Sequence, residues 1–329
     1  MSAEHLRAHP LDAAAVLAEP VVDVGGVAMR LSASDRPRAT AVAALFRHAL
    51  PSSAVPECVV RFTTDQFAVP STAPATLLDG LELWRPEPGE LVLRSTNGLI
   101  ARVSENEIAV AGDAPALARE FRYVAMIALT HVLASRGRHV LHGGAVVCDD
   151  RALLVLGGSG TGKSTLVLAA LRSGWSALTD DLVAVQRRDG TVVALGLPRP
   201  ISVPRDVVVD EFAQGVAVPE DARDRIELPA ATLTTSSHAV AGVIVVSRGG
   251  HVMASLEPVA AHAALRLILG ASASLADPQL LRDVFAIAAA IARLPAWSLQ
   301  HGSDPSSRLD EASLRLADIR ALLGATAVP

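Results

Sequence analysis

The sequence predicts an α/β protein: a core built on a mixed sheet around a phosphate-binding loop, preceded by an α+β unit. Three observations carry that prediction. Gly157-Gly158-Ser159-Gly160-Thr161-Gly162-Lys163-Ser164 satisfies G-x-x-x-x-G-K-[ST] and is flanked by an apolar strand-type run and a helix-type run. A second strand-type run ends only four residues before the first, too few for a parallel crossover. Upstream, residues 58–110 alternate like short strands separated by turn residues.

The amino-terminal unit is expected over residues 1–113. Ala39 to Leu50 reads as a helix. Cys58 to Phe62, Leu81 to Arg85, Glu90 to Arg94, Leu99 to Val103 and Glu107 to Val110 read as strands, with Gly89 and Asn97-Gly98 as turns. No chemical motif falls in this stretch, and its expected role is substrate capture or scaffolding. Asp113, followed by Pro115, opens an apolar helix to about Ala134, expected to begin the second unit over 114–329.

In that second unit, Val140 to Val147 (VLHGGAVV) reads as one strand and Ala152 to Leu156 (ALLVL) as its partner across an Asp149-Asp150 turn. That pairing, continued along the strand, sets His142 opposite Gly157. Leu166 to Leu171, with Gly174 at its end, reads as the helix after the loop. Trp175 to Thr179 is a strand leading to Asp180-Asp181. Leu182 to Gln186 and Thr191 to Leu195 then form a hairpin around Asp189-Gly190. Farther on, Ala239 to Ser247 and His251 to Leu256 read as a strand pair turning at Arg248-Gly249-Gly250. Helices are expected from Pro258 to near Gly270, from Asp277-Pro278 to Arg293, and from Asp310 to Leu323. Trp297 to Gln300 is a short strand.

Composition narrows the chemistry. The 329 residues are 50% hydrophobic and 19% charged, which excludes wholesale disorder. A net charge of −5 and 3% aromatic content argue against a nucleic-acid partner, having neither a broad basic surface nor a stacking platform. No run reaches membrane-spanning length, and MSAEHLRAHPLDAAAVLAEP has neither the basic start nor the apolar stretch of a secretory signal. Two cysteines, Cys58 and Cys148, make no disulfide framework. A cytoplasmic protein is expected.

The chain has 28 arginines and one lysine, Lys163. A composition that prefers arginine so strongly keeps lysine only where a compact ammonium works and a planar guanidinium does not. In the loop, backbone amides of Gly158, Ser159, Gly160, Thr161, Gly162, Lys163, Ser164 and Thr165 are expected to cradle phosphates at a helix amino terminus. Lys163 would reach the outer phosphates of ATP and Ser164 would ligate Mg2+. Seventeen residues past the lysine, Asp180-Asp181 is placed for metal and proton work. Arg199, Arg205 and Arg225 are candidate phosphate or substrate contacts.

His142-Gly143, the loop GGSGTGKST and Thr179-Asp180-Asp181-Leu182-Val183 together resemble the catalytic core of HPr kinase/phosphorylase and its relatives, over about Ala134 to Leu195. Pro198-Arg199-Pro200-Ile201-Ser202 is similar to a segment of the HPr-kinase-related kinases. The resemblance implies a mixed sheet of the HPr kinase/PEP carboxykinase type and transfer of the γ-phosphoryl group of ATP to a serine hydroxyl. It further implies Asp180 as base, Asp181 at the Mg2+ site with Ser164, His142 orienting Asp180, Lys163 on the phosphates, and Arg199 and Ser202 towards substrate. The chain lacks the basic proline-glycine segment that follows the core of the bifunctional HPr enzymes. The fitting relatives therefore resemble peptide-tailoring kinases, including those of lasso precursors. The expected partner is a serine-bearing peptide or protein, with neither nucleic acid nor membrane; a homo-oligomer is compatible with the sequence. A small-molecule kinase, for instance of free serine, and a nucleotide-gated regulatory protein are the alternatives.

Overall fold

Ala152, Leu153, Leu154, Val155 and Leu156 are all buried, so their strand is covered on both faces, as an uninterrupted apolar run requires. Their alternation sorts them into two cores. Leu153 and Val155 point to one side, while Ala152, Leu154 and Leu156 point to the other. The remaining elements of the second unit are arranged around that strand.

The computed structural model describes residues 11–65, 67–78, 80–197, 199–204, 216–217, 225–228, 233–234, 236–248, 254–273, 280–301 and 308–325. The chain divides into two units, Met1–Arg138 and His139–Pro329. The helix expected to open the second unit thus belongs to the first.

In the first unit, α1 (Ala13–Leu17), β1 (Val21–Val24), β2 (Val27–Ala33), α2 (Arg36–Phe46) and β3 (Leu50–Pro51) precede β4 (Cys58–Thr63). Next come β5 (Thr76–Leu78), β6 (Leu81–Trp84), β7 (Leu91–Ser95), β8 (Ile100–Val103), β9 (Glu107–Ala111) and α3 (Ala114–Ser135). They form one nine-stranded sheet, ordered β3-β1-β2-β4-β9-β8-β7-β6-β5. The five expected strands are all present. Helix α2 starts earlier than expected, because Asp35 caps it by accepting from Arg38 N (3.0 Å), and it stops at Phe46. Asp113 caps α3 in the same way through Ala116 N (2.8 Å), and the helix packs on β7 and β8. Strands β1 and β2, which sequence reasoning passed over, pair around Gly25-Gly26.

The second unit starts with β10 (Arg138–His142), β11 (Gly144–Cys148) and β12 (Arg151–Leu156), followed by α4 (Lys163–Arg172) and β13 (Ser176–Thr179). It continues with β14 (Leu182–Arg188), β15 (Thr191–Gly196), β16 (Ser202–Pro204), β17 (Val216–Ala217), β18 (Arg225–Glu227) and β19 (His238–Arg248). Last are β20 (Ser255–Pro258), α5 (Ala261–Ala271), α6 (Leu281–Ile291), β21 (Ala296–His301) and α7 (Arg308–Ala325). The main sheet runs β10-β14-β15-β19-β12-β11-β13, with β21 joining β19 to β20; β16, β18 and β17 form a small separate sheet. Parallel β12, β19 and β21 beside antiparallel β11/β12 and β14/β15 make the sheet mixed. Residues of α4 and α7 fill the core on one face, and those of α5 and α6 the core on the other.

Both expected two-residue hairpins are present. Cys148 pairs with Arg151 across Asp149 (φ 48°) and Asp150 (φ 63°), and Arg188 pairs with Thr191 across Asp189 (φ 49°) and Gly190 (φ 81°). Positive φ at both central residues is the turn whose twist matches paired strands. Two expectations fail. The run 140–147 is two strands, not one: the chain bends at Gly143, whose N–H donates to Asp181 O (2.8 Å), and β10 crosses to lie beside β14. A side chain at Gly143 would strike Leu156 and the Val155 carbonyl. His142 therefore does not face Gly157 across a ladder. Nor does β19 pair with β20. Strand β21, mostly buried, lies between them, parallel to β19 and antiparallel to β20, while the more exposed β20 takes the outer place. The Gly249-Gly250 turn and the Asp277-Pro278 cap lie outside the described residues. No helix among the described residues is long and apolar enough to cross a membrane.

Candidate active site

The carboxyl ends of parallel β12, β19 and β21 point the same way, which in open α/β sheets is where ligands bind. The glycine-rich loop leaves β12 there and enters α4 at Lys163. Two glycines make the path possible. A Cβ on Gly157 (φ 155°) would fall 2.4 Å from the Val246 carbonyl oxygen of β19, and one on Gly162 (φ 108°) 2.5 Å from the His301 ring of β21. The loop is thus wedged against β19 and β21. Thr161 closes it from within, its Oγ1 donating to Gly158 O (2.9 Å). Gly158, Ser159 and Gly160 form the exposed crest, while Thr165 is buried in the first turn of α4.

Lys163 is buried and curls into the loop, its Nζ donating to Gly157 O (2.9 Å) and Gly158 O (3.0 Å). Burial pushes the ammonium below its ordinary range, and the Asp181 and Asp180 carboxylates pull it back. Ser164 Oγ donates to Asp180 Oδ2 at 2.7 Å, and the same oxygen accepts from Ser202 N at 3.3 Å. Asp180 is 4% exposed. Its depth follows from Gly144 of β11: a Cβ there would meet the Thr179 carbonyl oxygen at 3.1 Å and the Asp180 Cα at 3.3 Å.

Asp181 has a different environment. Its side chain is 35% exposed, Oδ2 is paired with Arg199 Nη1, and Oδ1 lies 3.4 Å from His142 Nδ1. Burial lowers the His142 pKa; the Asp181 charge opposes this, while Lys163 and Arg199 reinforce it. Neutral imidazole is thereby favoured near neutral pH. His142 was expected to orient Asp180, but the bend at Gly143 sets it against Asp181 instead. Arg199 meets Asp181, and the Ser202 backbone N–H reaches Asp180. Arg205 and the side chain of Arg225 lie outside the described residues.

Lys163, Ser164, Asp180, Asp181, His142, Arg199 and Ser202 thus fall in one neighbourhood. Sequence reasoning missed two residues at its border. His301 ends β21, buried, with Nε2 3.3 Å from Gly162 O and Nδ1 without a hydrogen-bond partner among the described residues. Arg248 ends β19 beside it in register. No local signal marks either one, since only the parallel pairing of β12, β19 and β21 brings them to the loop.

Among the described residues no group of three or more His, Cys, Asp or Glu side chains is arranged to hold a metal ion. The adjoining oxygens of Ser164 and Asp180 are hard donors that suit Mg2+, an ion that keeps waters and phosphate oxygens as its other ligands.

No family model matches the chain, and neither does any curated protein. Among solved structures, the HPr(Ser) kinase/phosphatase from Coxiella burnetii aligns with 55% of this chain and 97% of its own, at 14% identity and a TM-score of 0.29.

Proposed function

We propose that this protein is an ATP-dependent phosphotransferase whose acceptor is a hydroxyl, most fittingly the serine of a peptide or protein. One observation carries the reading. The hydroxyl that follows the only lysine, in a glycine loop at the strand carboxyl ends, is hydrogen-bonded at 2.7 Å to a buried aspartate, next to a second, accessible aspartate. Phosphoryl transfer needs positioning, neutralised charge and a proton acceptor, and this neighbourhood holds a candidate for each.

The loop amides and the start of α4 would bind the triphosphate, with Lys163 turning from the loop carbonyls to phosphate oxygens. Ser164 and Asp180 would hold Mg2+, which when bound neutralises charge on the outer phosphates. Asp181 would accept the acceptor's proton as its oxygen bonds to the γ-phosphorus and the bond to ADP breaks. This reverses the two aspartate roles that the resemblance implies. Asp180 is buried and already engaged by Ser164 and Ser202, whereas Asp181 faces outward. Arg199 and His142 would fix the Asp181 carboxylate. Half-exposed His142 leaves room for a peptide to approach. Two buried free thiols suit a reducing, cytoplasmic setting.

Mass spectrometry of serine-containing peptides and of free serine, incubated with the full chain, Mg2+ and ATP, tests the reading. A gain of one phosphate on an acceptor is expected, with Asp181→Asn lowering turnover by roughly a hundredfold or more at near-normal nucleotide affinity. Free serine as the sole acceptor would replace the peptide assignment. Tight MgATP binding with no transfer would mark a nucleotide-gated regulator, and absence of nucleotide binding would reject the proposal.

A further inference from the structure

Arg248 is the last residue of β19, and its Cα is set by parallel pairing with His301 of β21. Two residues earlier, the Val246 carbonyl packs against Gly157, so the end of β19 runs alongside the glycine loop. The guanidinium reaches over the loop's crest, where Nη2 lies 3.7 Å from the position of a Cβ on Gly160. Its charge is also felt at His301, beneath the loop. Four other arginines of this unit are matched to carboxylates, Arg199 to Asp181, Arg172 to Asp310, Arg315 to Asp318 and Arg320 to Asp149, and none of these four lies over the loop's crest. The described residues give Arg248 no such carboxylate. It is exposed, although an arginine at a strand end has ample room to turn away from the loop.

We infer that Arg248 grips the terminal phosphate of a bound nucleoside triphosphate. The inference rests on the nucleotide reading above and adds a contact to it. Loop amides and the start of α4 account for the inner phosphates, and Lys163 approaches from inside the loop at Gly157 and Gly158. The phosphate that projects past the loop still needs a donor from its outer rim. A planar guanidinium can give two parallel N–H bonds to non-bridging oxygens, which an ammonium cannot. Held there, it would also balance charge on the phosphoryl group during transfer.

The prediction separates triphosphate from diphosphate. In calorimetric titrations of the full chain with Mg2+, Arg248→Ala should weaken a non-hydrolysable ATP analogue by about tenfold or more, with ADP affinity unchanged within about twofold. Arg248→Lys should recover only part of the loss. An equal loss for both nucleotides, or none for either, overturns the inference while leaving the nucleotide reading intact. Failure of the unaltered protein to bind either nucleotide overturns both. Unchanged circular dichroism and melting temperature in the variants will confirm that a measured loss arises at the site.

Discussion

The main sheet of the second unit carries two adjacent aspartate pairs, and in each one a member is paired with a histidine and a member with an arginine. Asp149-Asp150 turns the chain between β11 and β12, with Arg320 on Asp149 and His238 on Asp150 (2.8 Å). Asp180-Asp181 lies between β13 and β14, with Arg199 and His142 both on Asp181. The first pair is open to water, the Asp150 side chain being 93% exposed; the second has one carboxylate buried and the other part-shielded. The chemical ingredients are nearly the same, but the dielectric is not. Solvent screens a surface pair to little net effect, whereas a carboxylate shielded at a strand carboxyl end, next to Lys163 and Ser164, interacts strongly. A histidine, an arginine and two aspartates make a candidate site only where the fold removes water and adds an anion-binding loop.

The largest effect that tests this contrast is on turnover. Asp180→Asn should lower phosphoryl transfer by roughly a hundredfold or more, while Asp149→Asn leaves it unchanged; equal effects from the two variants would end the distinction. Next is the loop's wedge. Gly162→Ala places a side chain at φ 108° against His301 and should cost about 1–3 kcal/mol in denaturant unfolding, whereas alanine at Gly174, where a Cβ meets open space at φ 77°, isolates the conformational share.

A smaller effect is the acid response. His301, His139 and His142 are all held below the ordinary histidine range, chiefly by burial. The unfolded chain therefore takes up these protons first as pH falls. The stability they contribute is full above about pH 6.5 and is lost as pH drops through their lowered folded values. Urea titrations from about pH 8 to about pH 5 should show that decline, and His301→Gln, which keeps a donor for the Gly162 carbonyl, should flatten it. An unchanged slope would remove His301 as a contributor. Smallest of all, Asp150→Asn should leave urea stability at neutral pH unchanged within error, because that side chain is 93% exposed and solvent screens its contact with His238.

Much of this was legible in the chain itself. The glycine loop, its strand and its helix need only local spacing, and so do the hairpins at Asp149-Asp150 and Asp189-Gly190, whose turn types demand residues that tolerate positive φ. The two failures have one cause. Run 140–147 reads as a single strand because hydrophobic periodicity does not register a bend, and only in the folded sheet does Gly143 sit so close to Leu156 and Val155 that a side chain there would clash. Strand β20 follows β19 along the chain, which favours pairing the two, yet β21, some forty residues later, takes the place between them. His301 and Arg248 escaped notice for the same reason.

Local spacing and conformational preference determined most of the strands and helices, where the glycine loop must turn and which residue types could carry chemistry. Tertiary packing decided the partners. It put Asp180 rather than Asp181 on Ser164, aimed His142 at Asp181, and brought His301 and Arg248 to a loop more than eighty residues away. Partner choice depends on excluded volume and burial across distant strands, and neither quantity exists until the sheet has assembled.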